Sequence, residues 1–211
     1  MDDPRQYSPA AARNRAPILD LLRRILPQGA KVLEIGSGSG EHAVFFAAAR
    51  PDLAWFPSDP DPRARASIAA WIATDGVANV RAPRDIDVRA ARWSVEDEGP
   101  FDAIISCNMV HIAPWSCALG LMAGAERLMR GGGVLFLYGP FKREGAHTAA
   151  SNEAFDASLK ARNAEWGVRD MEAVVDIAKQ RGFACEDVVA MPANNFSLVF
   201  RKEAQSRATS R

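Results

Sequence analysis

"VLEIGSGSGEHAVFF", residues 32–46, runs a short apolar stretch into three glycines spaced two apart, then resumes apolar periodicity beyond an acid and a histidine. Lys31 to Ile35 reads as a strand, too brief and too apolar for an exposed helix, and Glu41 to Arg50 reads as a helix. A strand, a glycine turn and a helix place Gly36, Gly38 and Gly40 at the carboxyl end of the first strand. Open α/β sheets take ligands there, and the next helix presents free backbone amides. Glycine lets the chain turn sharply and lets a ligand touch the backbone itself.

Working outward, "LAWFPSD" (53–59) is a second strand candidate, followed by the alanine-rich helical pattern "ARASIAAWIATDG" closed by Gly76. "NVRAPRDIDV" is a third strand, interrupted by Pro83 and therefore an edge or a short one. "FDAIISCNMV" is the fourth, "WSCALGLMAGAERLMRGGG" a helix stopped by glycines, and "GVLFLYGPF" the fifth. Beyond the polar stretch 142–152 come helices around Phe155 to Arg162 and Asp170 to Gln180, then strands "FACEDVVAMP" and "NFSLVFRK". Upstream of the glycines, Ser8 and Pro9 read as an N-cap and first-turn proline, with Pro17 opening a second helix or continuing the first. Alternating strands and helices imply a mostly parallel sheet covered on both faces. The tight "PANN" link at the end can only join an antiparallel hairpin.

The chain reads as one domain, 1–211, with an N-terminal arm of about residues 1–15 and a polar tail of about 203–211. Apolar residues at 48% and charged residues at 25% describe an ordinary soluble globular chain. Twenty-six basic and 26 acidic side chains cancel, which argues against a protein living by non-specific attraction to nucleic acid. No run suits a bilayer or a secretory leader, so the expected compartment is the cytoplasm. Cys107, Cys117 and Cys185 are odd in number and widely spaced, which fits reduced structural thiols. The carboxylates near the fourth strand form no obvious oxygen-ligand set, so no metal is expected.

Asp59 ends the second strand, 23 residues after Gly36, where a carboxylate can accept hydrogen bonds from both hydroxyls of a ribose. Strand, loop, helix and acid in register point to a nucleoside-bearing ligand. A dinucleotide fingerprint would carry glycine at the sixth place of G-x-G-x-x-G, whereas this loop reads Gly36-Ser37-Gly38-Ser39-Gly40-Glu41. That spacing disfavours a pyrophosphate.

The fuller string Glu34-Ile35-Gly36-Ser37-Gly38-Ser39-Gly40 resembles motif I of the class I S-adenosylmethionine-dependent methyltransferases. "SPAAARNRAPIL", "NMVHIAPW", "LYGPFKR", "FDASLKARNAEWGVRDME" and "MPANNFSLVF" add a resemblance, over about residues 7–202, to an uncharacterised methyltransferase-like family of bacteria and animals. The resemblance implies a Rossmann-like, seven-stranded, mostly parallel sheet of order 3-2-1-4-5-7-6 with an antiparallel last strand and helices on both faces. It implies S-adenosyl-L-methionine as cofactor and a small or medium-sized acceptor. By position it puts Gly36, Gly38 and Gly40 against the methionine part and Asp59 on the ribose. Ile86 and Asp87 then flank adenine, and Glu34 meets the amino-acid end, commonly through water. Glu34 is alternatively a strand acid held by backbone amides. Arg13 meets a carboxylate and Asn14 an adjacent polar group, or the two are a solvated arginine and a capping asparagine.

Histidine titrates near neutrality, and His111 follows the fourth strand where cofactor and acceptor would meet. It either lines the pocket, as a general base in one reading, or bonds a neighbouring carbonyl. Asn108 and Tyr138 stand at the ends of the fourth and fifth strands and complete the candidate catalytic set, with Asn108 also a candidate cofactor contact. "NMVH" is not the asparagine-proline-proline-aromatic motif of exocyclic amino methyltransferases. Lys142 and Arg143 either grip an anionic acceptor or solubilise a loop, and Trp166 either closes a lid or caps the core. Asn194 and Asn195 suit the final turn, with a site role kept open by the family resemblance, and Arg81, Arg84, Arg89 and Arg92 form either a phosphate-facing patch or, as the preferred reading, a solvated face. His42 carries no catalytic role in this reading. Two rivals are a non-catalytic sensor of the same cofactor or its demethylated product and, on fold alone, an NAD-dependent dehydrogenase.

Overall fold

Val32 and Leu33 are neighbours in sequence and both fully buried, yet they belong to two different apolar cores. Strand side chains alternate between faces, so a strand apolar at successive positions is buried on both sides. The computed structural model describes residues 3–204. In it β1 (Lys31–Ile35), β2 (Ala54–Ser58), β3 (Phe101–Cys107), β4 (Met129–Gly139), β5 (Phe183–Met191) and β6 (Asn195–Lys202) form one sheet of order β2-β1-β3-β4-β6-β5. β1 runs parallel to β2 and β3, β3 runs parallel to β4, and β6 is antiparallel to both β4 and β5. Helices α1 (Pro9–Ile25) and α2 (Glu41–Ala49) cover the Val32 face, and α4 (Trp115–Leu128) and α6 (Met171–Lys179) cover the Leu33 face. Two further helices, α3 (Pro62–Asp75) and α5 (Ala150–Arg162), complete the fold.

The sheet has six strands, not the expected seven. Residues 79–84 do run beside β2: Trp55 donates to the Asn79 carbonyl at 2.9 Å, and Arg81 donates to the Trp55 carbonyl at 2.8 Å. The next rung would draw its donors from Pro57 and Pro83, which have no N–H. Pairing therefore slips, with Arg84 donating to the Pro57 carbonyl at 2.9 Å, and only isolated bridges remain. The antiparallel hairpin is as expected, and its turn runs through left-handed Ala193 and Asn194.

Two helix ends also differ from the sequence reading. Pro17 lies inside a continuous α1, so the carbonyl of Arg13 loses its helical donor. α4 stops at Leu128, before the glycines, which belong to the start of β4. Lys202 Nζ stops it by donating to the carbonyls of Glu126 at 2.5 Å and Met129 at 2.6 Å, satisfying acceptors that a helix C-terminus leaves open.

Ser8 caps α1 through its hydroxyl, which accepts from Ala11 N at 3.2 Å. Replacing it with alanine is expected to cost about 1 kcal/mol, read as a lower urea midpoint at unchanged slope. The expected polar tail lies outside the described residues from 205 on. Among the described residues no helix is long and apolar enough to cross a membrane.

Candidate functional site

β1 neighbours β2 on one side and β3 on the other, so the chain leaves the sheet in opposite directions and opens a crevice at the strands' carboxyl ends. A cavity of about 930 Å³ occupies it, bounded by the glycine loop, the ends of β3 and β4, the first turns of α1, the start of α5 and the β5–β6 turn. Gly36 has φ +70°, and a Cβ there would meet the Met109 side chain at 3.0 Å. Gly40 has φ +91°, and a Cβ there would lie 2.8 Å from Ile68 Cα. The first glycine lets the loop pack against Met109, and the second lets α2 dock on α3.

Asp59 stands on the cavity wall just past β2. Its Oδ2 accepts from Gly38 N at 3.0 Å and its Oδ1 from Asp61 N at 2.9 Å. One amide per oxygen aims the carboxylate and leaves each oxygen a lone pair for a ligand hydroxyl. Burial raises its pKa, and the two amides work against that shift. Ile86 and Asp87 line the same cavity. Arg89 clamps the Asp87 carboxylate with contacts of 2.9 and 2.6 Å.

At the other end, Asn108 and Tyr138 join the wall as expected. Asn108 adopts a left-handed conformation, φ 63°, with its N–H on the Tyr138 carbonyl at 2.8 Å. Asparagine tolerates that region better than most residues. Arg13 and Asn14 overhang the cavity from α1. Asn14 is neither solvated nor a cap: its Oδ1 takes the His42 Nε2 hydrogen at 2.7 Å. Burial pushes the Tyr138 phenol up, partly offset by the neighbouring Asn14 amide. Arg13 is exposed and forms no ion pair among the described residues.

Three expected site residues do not reach the cavity. Glu34 is 1% exposed and lies beneath the loop, its Oε2 accepting from Trp55 Nε1 at 2.9 Å. The partner is an indole rather than backbone amides, because Glu34 shares the Val32 face with Trp55. Desolvation raises its pKa to about 7. Gly40 caps α2 behind the loop. His111 is the larger correction. Its ring is 0% exposed behind Gly139, where a Cβ would fall 2.2 Å from Nε2. His111 Nδ1 accepts from Arg169 N at 3.1 Å, so it serves a backbone amide rather than a carbonyl. Burial and the Arg169 charge lower its pKa to about 3. A general base needs reach and basicity, and His111 has neither.

Of the open alternatives, Trp166 lines the cavity, with the Arg162 guanidinium 5.0 Å from its ring centre. Arg169 stitches that segment down by donating to the carbonyls of Val110 at 2.9 Å and Ala113 at 2.6 Å. Lys142 instead pairs with buried Asp156 at 3.5 Å, and Arg143 stacks over Phe196. Asn194 and Asn195 both form the turn and face the cavity. Arg84 and Arg89 are taken up by Glu98 and Asp87.

The sequence reading missed Asn152 and Phe155 of α5, which close the acceptor end. Asn152 reaches the hairpin, donating to the Asn194 carbonyl at 2.8 Å across 42 residues. It also missed how the arm is tied down. Glu41 Oε2 accepts from Ser8 N at 2.5 Å and Ser39 Oγ at 3.0 Å. Ser67 Oγ accepts from Gln6 N at 2.8 Å and donates to the Ser39 carbonyl at 2.6 Å.

A model of the family described as "Protein of unknown function (DUF938)" matches residues 5–202. Among solved structures, an O-methyltransferase family protein from Burkholderia thailandensis superposes with a TM-score of 0.78 at 16% identity, covering 93% of this chain and 58% of its own. PigF, solved with SAH, gives 0.72 at 19%, covering 89% and 55%. This chain thus spans little more than half the length of either. A putative sarcosine dimethylglycine methyltransferase from Galdieria sulphuraria gives 0.70 at 14%, covering 96% and 94%. These likenesses establish a Rossmann-like methyltransferase fold.

Proposed function

The chain belongs to the DUF938 family of unknown function, and from that premise we propose that it is an S-adenosylmethionine-dependent methyltransferase acting on a small-molecule acceptor. The observation that carries the reading is Asp59, a carboxylate aimed into the cavity by the Gly38 and Asp61 amides, with lone pairs left for the two hydroxyls of one ribose. The remaining residues fit the cofactor. The loop at Gly38 has open space before its backbone, Ile86 offers an apolar surface for adenine, and Arg13 offers a guanidinium that forms no ion pair among the described residues. At about 930 Å³ the cavity is near the top of the ~300–1,000 Å³ range of single-ligand sites, which leaves room for an acceptor beside the cofactor.

Bound there, the cofactor would supply a methyl group already activated on a sulfonium. The protein's task is alignment and exclusion of water, and orientation of this kind is worth up to ~7–11 kcal/mol of barrier. Asn108 and Tyr138 form the floor at which the acceptor would be held, and His111 has no part in it beyond fixing Arg169. Calorimetry tests the reading: heat is expected with S-adenosylmethionine and S-adenosylhomocysteine and none with NAD. Binding of NAD alone would replace it with a dehydrogenase.

A further inference from the structure

Resting on the methyltransferase reading, the acceptor end of the cavity has a composition that selects among acceptors. Its wall is built by α5, residues 163–169 and the β5–β6 turn. Among the described residues that wall brings no titratable side chain into the cavity. Phe155 and Trp166 supply aromatic surface, Met109 and Ile112 supply aliphatic surface, and Asn152 is the buried polar group. The Asn152 amide nitrogen donates to Thr148 Oγ1 at 3.1 Å and to the Asn194 carbonyl at 2.8 Å.

Of the groups able to take a proton, the histidines and the carboxylates lie elsewhere or are committed, and Tyr138, Cys107 and Cys117 line the cavity as acids whose protons burial holds more tightly. His111 is behind Gly139. His42 stacks on Phe46 at the glycine-loop end and is tied to Asn14, with its pKa lowered to about 4. Asp59 holds two loop amides, and Asp87 is clamped by Arg89. Tyr138 is a phenol pushed further up. Cys107, also on the wall, is pushed well up by burial.

Charge then decides between nucleophiles. A neutral amine or ring nitrogen becomes a cation on methylation, and no uncommitted carboxylate stands at this end to receive it; a buried unpaired charge is costly. An alcohol needs a base. A carboxylate must shed its hydration to enter an apolar chamber. A thiol enters neutral, is the least dependent on a protein base among the protonated nucleophiles, and is intrinsically very nucleophilic.

We propose that the acceptor is a small apolar thiol, held between Phe155 and Trp166 and methylated on sulfur. The thiol proton leaves to solvent. The thiolate sulfur then forms a bond to the methyl carbon as the carbon–sulfonium bond breaks, giving a neutral thioether and neutral S-adenosylhomocysteine sulfur. Opposite charges are thereby annihilated, which a low-dielectric wall favours.

The test uses the whole protein and three probes sharing one body: phenethyl thiol, phenethyl alcohol and phenethylamine. Each is titrated into the complex with S-adenosylhomocysteine and then incubated with S-adenosylmethionine. The thiol and alcohol are expected to bind, the ammonium form about tenfold or more weaker, and only the thiol to gain a methyl group. Phe155→Ala is expected to weaken thiol binding by about tenfold with S-adenosylhomocysteine affinity held within about twofold. Replacing phenethyl thiol by the more acidic thiophenol is expected to move the pH midpoint of transfer down with the probe. A midpoint that stays put would reveal a protein base and overturn the proposal. So would preferential methylation of the alcohol or amine, or absence of any thioether, while bound S-adenosylhomocysteine leaves the cofactor reading intact. Failure to bind S-adenosylhomocysteine at all defeats the methyltransferase reading itself.

Discussion

Asp59→Ala is expected to weaken S-adenosylhomocysteine binding by about ten- to a hundredfold, the equivalent of roughly 1.5–3 kcal/mol for hydrogen bonds to a charged group. The carboxylate does two jobs, aiming itself through the Gly38 and Asp61 amides and presenting its remaining lone pairs to the cavity. Alanine removes both, so the loop amides also lose their acceptor. Asp59→Asn keeps one acceptor oxygen and is expected to fall between wild type and alanine. Asp59 lies outside the regular strand and is only partly buried, so thermal unfolding should show both variants folded. Calorimetric titration reads the effect, and an unchanged affinity in folded Asp59→Ala would move the ribose acid elsewhere. The pH direction follows from the same carboxylate. Burial holds its pKa above the ordinary aspartate value, and only the ionised form accepts from both hydroxyls. Affinity should therefore rise with pH through that raised pKa and fall below it.

The second large effect concerns stability. Glu34 is buried with a pKa raised to about 7, from 4.5. The cause is desolvation, partly opposed by the Trp55 indole and Ser37 and reinforced by the Asp59 charge. Between those two pH values the folded protein binds more protons at this site than the unfolded chain does, so stability falls as pH rises. The contribution is fully present below about pH 4.5 and is lost on passing pH 7. A shift of this size corresponds to about 3 kcal/mol. Glu34→Gln has no proton to lose, and its amide oxygen still accepts from Trp55. Urea unfolding of both proteins at pH 4 and pH 8 should show similar stabilities at the lower pH and glutamine ahead by about 3 kcal/mol at the higher. Parallel pH profiles would mean that Glu34 is solvated or otherwise paired. If Glu34 instead serves the ligand through water, its replacement should weaken cofactor binding as well.

The two residues had similar claims in the sequence and part company in the structure. Asp59 was legible because its position depends on neighbours along the chain: β1, the glycine loop and β2 are consecutive, and β1 and β2 lie side by side in parallel. Local chemistry reached equally far at Ser8, Asp170 and Asn195, where a side chain bonds backbone within a few residues. Glu34 needed one more fact, that its face of β1 meets Trp55, and strand periodicity supplies this only once pairing is known.

What the sequence determined by itself was the alternation of strands and helices, the open crevice at the first glycine loop, the acid beside it and the final antiparallel hairpin. Each follows from periodicity or from a turn short enough to admit one geometry. The tertiary structure alone decided the rest. Pro57 and Pro83 had to fall on the same rung before the seventh strand was lost. Lys202 had to return across the sheet to end α4. His111 had to pass behind Gly139, where the absence of a Cβ leaves space for its ring and hides it from the cavity. Asn152 and Asn194 had to meet to close the acceptor end. These contacts join residues that are distant in the chain, and a side chain's access to a cavity depends on which packed neighbour stands in front of it.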